Sequence, residues 1–239
     1  MKNTKKKVLV GALVLSLAAI VSVGSIAWYS ASSNVQNKFF VASSTDPDPD
    51  KTFSIKVIEK TPSSTTDDPD DDDGYEYDDV FPGTNLVKAP YVKNTGTLPQ
   101  YVRVVVKVSD ASALKTVYGI TGETLVVPFD SLVNNYQSTA WLIDSSTLDA
   151  PSDTMTYVFY ANDVLEADAQ VKLFDGMTVP DTLDKGQVVN FTKKEGDTKR
   201  SFTMDIKAQA VQTKNLGEGD TVAEKAKSAF ETVGMELND

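Results

Sequence analysis

The side chains best able to do chemistry are crowded into one stretch. From Thr61 to Asp79 the chain reads T-P-S-S-T-T-D-D-P-D-D-D-D-G-Y-E-Y-D-D, a density of carboxylates that could hold a hard cation such as calcium through oxygen ligands. The register argues against a helix-loop-helix calcium loop. Counting from Asp68 as the first ligand puts Asp73 where the sharp turn needs glycine, and aligning Gly74 with that turn makes Pro69 the first ligand. The stretch therefore reads as a solvated acidic loop, too polar to repay the entropy of ordering, with a calcium site as the alternative.

Elsewhere the composition removes whole classes of chemistry. The chain of 239 residues contains no Cys and no His, so thiol catalysis, a disulfide framework and a Ser-His-Asp triad are out of reach. Zinc would have to be held by carboxylates alone, which is a poor site for that metal. No G-x-S-x-G or S-x-x-K element stands between a strand and a helix. No catalytic residue, metal site or cofactor is expected. The formal charge of −11 becomes more acidic still once the lysines of the N-terminal leader are set aside, which argues against nucleic acid or anionic lipid as a partner.

The elements that organise the chain lie between Val80 and Val108. Val102, Val104, Val106 and Val108 alternate with Arg103, Val105 and Lys107, the period of two that turns one row of side chains into a core. Before this strand, Asn94-Thr95-Gly96-Thr97 is turn chemistry. The segment Leu86 to Lys93, interrupted by Pro90, is expected at a sheet edge because proline cannot donate to a ladder. The whole stretch reads as a β-hairpin.

The same residues carry a resemblance. The order P-G, then K-x-P-x-V-x-N-T-G, then P-x-Y-V-R-V, borne by Pro82, Gly83, Lys88, Pro90, Val92, Asn94, Thr95, Gly96, Pro99, Tyr101, Val102, Arg103 and Val104, resembles the shared region of the TasA/camelysin family. Further patches follow in order: Val164-Leu165, Leu173-Phe174, Val179-Pro180 and Ala210-Val211-Gln212. Members of that family are exported by Gram-positive bacteria and cleaved by a signal peptidase of the endoplasmic-reticulum (SipW) type. Some build extracellular fibres in which the N-terminal segment of one subunit enters the sandwich of the next, and some are described as metallopeptidases. Two insertions depart from the family: Ser43 to Lys51, which interrupts what is nearly one segment in the family, and the acidic stretch 61–79.

Residues 1–27 read as a signal peptide. Lys2, Lys5, Lys6 and Lys7 precede an uncharged run from Val8 to Val23 and the small-residue pattern Ser25-Ile26-Ala27. Cleavage between Ala27 and Trp28 is expected, against the alternative of an uncleaved anchor. The new N-terminal segment, Trp28 to Phe40, carries apolar anchors at Trp28, Tyr29, Val35, Phe39 and Phe40. It reads equally as a strand of its own sheet or, as the resemblance implies, as a donor strand for a neighbour. Two β-like runs, Val35 to Ala42 and Thr52 to Lys60, follow.

Further along, Ser109 to Tyr118 reads as a short helix or a loop, Gly119 to Phe129 as a strand ending at Val126-Val127, Trp141 to Ile143 as a buried strand, and Met155 to Tyr160 as another. Ser201 to Thr213 alternates cleanly and should sit in mid-sheet. Thr221 and Glu224 have capping-box spacing before the apolar stripe Val222, Ala226, Ala229, Phe230 and Val233, closed by Gly234, which predicts a helix over one end of the sheet.

The expected whole is all-β. Residues 28–239 form a single jelly-roll-like antiparallel β-sandwich with a few short helices and acidic insertions near 43–51 and 61–79, preceded by a signal-peptide helix. The resemblance implies a secreted fibre subunit of a biofilm matrix, acting through donor-strand exchange with further copies of itself and with an anchoring accessory protein. The rivals are a monomeric surface or adhesin protein and a camelysin-type metallopeptidase.

Overall fold

A computed structural model of the chain describes residues 30–34, 52–60, 83–181 and 203–237. The signal segment 1–27, both acidic insertions, Pro82 and the anchors Trp28, Tyr29, Val35, Phe39 and Phe40 lie outside the described residues.

Among the described residues ten strands make three antiparallel sheets. The largest has the order β1-β10-β5-β7-β6, with β1 Ser30–Asn34, β10 Met204–Gln212, β5 Gln100–Val108, β7 Thr154–Ala161 and β6 Trp141–Asp149. A second runs β2-β4-β8, from β2 Ile55–Lys60, β4 Ala89–Asn94 and β8 Gln170–Lys172. β3 Asn85–Leu86 and β9 Met177–Thr178 form a short pair. The helices among the described residues are α1 Ala111–Val117, α2 Phe129–Leu132 and α3 Val222–Val233. The architecture is all-β and antiparallel, as the alternating patterns imply.

The alternating valines behave as their period demands. Val102, Val104, Val106 and Val108 of β5 join Ile206, Ala208 and Ala210 of β10 and Met155, Tyr157 and Phe159 of β7 in one core with Ile55, Val57 and Val92 of the second sheet and Phe53 just ahead of it. Between the sheets Phe129 collects the aromatic rings, with centroids 4.7 Å from Phe159, 5.1 Å from Tyr157 and 5.7 Å from Tyr136. Edge-on and tilted ring contacts of this kind add to plain area burial.

The outer face of the large sheet is covered by α3. Thr221 accepts from the Glu224 amide and Glu224 reaches back to the Thr221 amide, while Gly234 closes the helix at φ +66°, so both predicted caps are present. Ala223, Ala226, Ala229 and Phe230 pack on Tyr101, Val158, Tyr160 and Val211. The helix thus lies across the sheet's face, not over its end as expected. The reason is apolar surface: every second residue of β5, β7 and β10 is already turned inwards, and the outward Tyr101, Val158, Tyr160 and Val211 leave a second face that needs cover.

Three further expectations are corrected. β4 and β5 do not form a hairpin; they belong to different sheets, and 95–99 is the corner between them. Nor is β4 an edge strand, since it lies between β2 and β8. Pro90 is tolerated because its carbonyl accepts from Leu173 N at 2.9 Å, just past the end of β8. The missing N–H falls on that same side, where the ladder is already running out. Finally, Gly119 to Pro128 forms no strand. Val127 is buried, but its amide and carbonyl are met by side chains, Met155 Sδ at 3.4 Å and Tyr157 Oη at 2.6 Å, so no neighbouring strand is required. The Ser109 to Tyr118 alternatives resolve to α1, and β10 lies inside its sheet between β1 and β5.

Candidate functional site

The residues singled out in the central stretch build a corner. Asn94 is wholly buried, and its amide donates to Leu98 O at 2.8 Å and Leu165 O at 2.9 Å. Its side-chain carbonyl accepts from Gly96 N at 2.9 Å and from Gln100 Nε2 at 2.8 Å. Gln100 Nε2 also donates to Ser54 O at 2.9 Å. Asn94 therefore fastens the turn, the start of β5 and the Leu165 loop, and through Gln100 the segment before β2. A chain leaving one sheet for another exposes backbone groups with no ladder, and this side chain supplies what the ladder cannot.

Gly96 is required for closeness. A Cβ there would stand 2.6 Å from Thr52 O and 2.8 Å from Ser54 N, both main-chain atoms that cannot swing aside. Gly83 is required for conformation, with φ +82° and its amide bonded to Val179 O at 2.9 Å.

Arg103 points the other way, onto the outer face under α3. It is only 5% exposed. Its Nε donates to Gln209 Oε1 at 2.8 Å, its terminal nitrogen to Met235 O at 2.9 Å and Glu236 O at 3.0 Å, and its guanidinium lies 4.3 Å from the Phe230 ring centroid. The planar fork binds the carbonyls just beyond the helix C-terminus, where the helix dipole favours positive charge. Tyr101 and Val102 bury on opposite faces of the same strand. The motif residues Gly83, Pro90, Asn94, Gly96, Tyr101, Val102 and Arg103 are thus parts of the frame, and the structure does not gather them into one cleft.

The remaining candidate is an edge. β1 pairs antiparallel with β10 in the register Ser30–Val211, Ala31–Ala210, Ser32–Gln209, Ser33–Ala208 and Asn34–Lys207. Ser109 N donates to Thr203 O, so the odd-numbered residues of β10 bond towards β5 and the even-numbered ones towards β1. Ala31–Ala210 and Ser33–Ala208 are then the hydrogen-bonded pairs, and Asn34–Lys207, Ser32–Gln209 and Ser30–Val211 the others. β1 also neighbours β2 of the facing sheet. The strand sits inside the stretch Trp28 to Phe40, although the pattern in the sequence places β character at Val35 to Ala42. Its five residues, S-A-S-S-N, carry no large apolar side chain, so periodicity gave no signal there.

Two tyrosines packed in the core cluster have shifted hydroxyls. Burial holds the Tyr157 hydroxyl well above its usual range, and burial with the nearby Asp130 charge does the same to Tyr136. Their hydroxyls donate to Val127 O and Trp141 O, each at 2.6 Å, which is a structural duty. Among the described residues no group of three or more Asp, Glu, His or Cys side chains is placed to hold a metal ion. No protein-family model, no curated protein and no solved structure matches the chain.

Proposed function

We infer that this chain is an exported structural protein, the subunit of extracellular or biofilm-matrix fibres of the TasA type, built on a jelly-roll-like sandwich. Its N-terminal segment Trp28 to Phe40, released after Ala27 by a SipW-type signal peptidase, enters the sheet of the next subunit. The contact is head to tail and does not close, so it propagates as a filament. No cofactor is needed, and the partner is a second copy of the chain, with a fibre-anchoring accessory protein at the cell surface.

The strand Ser30–Asn34 pairs with β10 of its own chain, as the intramolecular alternative of the sequence reading has it; what supports the fibre reading is that the outer edge of β10 takes a strand from this segment by main-chain bonds. An edge strand offers a row of N–H and C=O groups to any extended segment of the right register. The pairing holds β1 with two hydrogen-bonded residue pairs, each bond worth about 0.5–1.5 kcal/mol net. Large anchors such as Trp28 and Phe39 would contribute roughly 1.5–3 kcal/mol each where they are buried in a neighbour.

A second reading takes support from the same pairing. If β1 stays permanently with its own β10, the protein is a monomeric cell-surface accessory or adhesin. A camelysin-type metallopeptidase is the weakest reading, because the chain has neither His nor Cys to hold zinc. Electron microscopy of the processed chain, residues 28–239, beside a chain lacking residues 28–38 separates the first two. Fibres from the former and folded monomers from the latter are the expected outcome; normal fibres from the truncated chain would contradict the reading.

A further inference from the structure

The strand Ser30–Asn34 and the edge it occupies stand in conflict with assembly, since one main-chain edge can pair only one strand on that side. We propose that β1 is autoinhibitory: in the unassembled subunit it fills the Lys207–Val211 edge of β10 that a second copy of this chain must reach, so assembly waits on its release. The proposal rests on the fibre reading above and adds the condition under which fibres form.

Register carries the first part of the argument. All five residues of β1 face Lys207 to Val211 without a shift, so the resident strand leaves no part of that stretch open. Position carries the second. Among the described residues β1 is the last strand of its sheet, and the β10–β5 ladder, from Met204–Val108 to Gln212–Gln100, lies on the other side of β10. Release therefore breaks one ladder and disturbs no other. Composition carries the third, because S-A-S-S-N contains no large apolar residue to anchor it. Such a strand can be exchanged for an identical one, the low-cost route of domain swapping.

The test uses the absence of cysteine from the chain. Asn34 and Lys207 are a non-hydrogen-bonded cross-strand pair, whose Cα separation of about 4.5 Å suits a disulfide. In the processed chain carrying N34C and K207C, oxidation should give an internal bond and a monomer that forms no fibres; reduction should restore them. Fibres from the oxidised monomer would overturn the inhibitory role and leave the fibre reading standing. Failure of both the unsubstituted and the reduced chain to form fibres would overturn the fibre reading, and this proposal with it. Hydrogen exchange of the unsubstituted monomer gives a check that needs no variant: the amides of Ala208 and Ala210 should be protected, and fast exchange there would overturn the proposal.

Discussion

The Gln100 side-chain amide donates to the Asn94 side-chain carbonyl across 2.8 Å, with both residues wholly buried. This pair fixes the corner at which the chain passes from the second sheet to the first. Replacing Asn94 with Ala leaves the Gly96 amide and Leu98 O without their partner, and takes one of two bonds from the Gln100 amide, which keeps Ser54 O, and from Leu165 O, which keeps Gln100 N. A loss of about 2–4 kcal/mol is expected, since each buried group left without a partner costs on the order of 1–3 kcal/mol. Urea denaturation should show a lower midpoint with an unchanged slope.

Gly96→Ala acts on the same corner by a different route. The added methyl would meet Thr52 O at 2.6 Å and Ser54 N at 2.8 Å, so the two backbone segments must move apart. About 1–3 kcal/mol of destabilisation is expected, the usual cost of overpacking. Loss of protection at the Thr97 amide, which donates to Thr52 O at 2.9 Å, would locate the opening.

Arg103 ties α3 down. Arg103→Met keeps much of the packing but removes the bonds to Gln209, Met235 and Glu236. We expect about 1–3 kcal/mol of destabilisation from the lost charge-assisted bonds. Amide exchange should accelerate in residues 222–237 and hold steady along the β5–β10 ladder.

The cap of α3 is sensitive to acid. Glu224 accepts from the Asp220 and Thr221 amides, both at 2.9 Å, and these bonds, that from Thr221 first, hold its carboxyl below the ordinary value of 4.5. A carboxyl whose folded value is depressed stabilises the fold above its unfolded value and loses that contribution as pH falls through the folded value. The difference in urea midpoint between the unsubstituted protein and Glu224→Gln should therefore be present at neutral pH and shrink as pH is lowered below the ordinary carboxyl range. A difference that stayed constant with pH would contradict the assignment.

Assembly should also respond to charge. A processed subunit, more acidic than the formal −11 of the full chain because the leader lysines are gone, repels its copies, so mild acid or divalent cations should promote association by neutralising or screening carboxylates. Turbidity and sedimentation should rise from neutral to mildly acid pH; no change would count against the idea.

Much of the frame was legible because its signals are local. The valine alternation of β5, the aromatic run of β7, the clean period of β10 and both caps of α3 appear where the pattern places them. What the sequence concealed is long-range. Asn94-Thr95-Gly96 has the same turn chemistry whether the chain folds back on itself or passes to another sheet, and only Leu165, Ser54 and Thr52 decide between them. Pro90 signals an edge by composition, yet a ladder that ends at Lys172 accommodates it in mid-sheet. Val127 resembles the end of a strand, but its bonds go to Met155 and Tyr157. β1 gave no pattern at all, because S-A-S-S-N has no apolar alternation to read.

Pairing between copies can be read directly in the chain without cysteine. Processed protein carrying only Asn34→Cys, mixed with protein carrying only Lys207→Cys, should give disulfide-linked heterodimers in the fibre fraction after oxidation. Fibres that assemble from this mixture with no such cross-link would contradict the exchange of β1 between subunits.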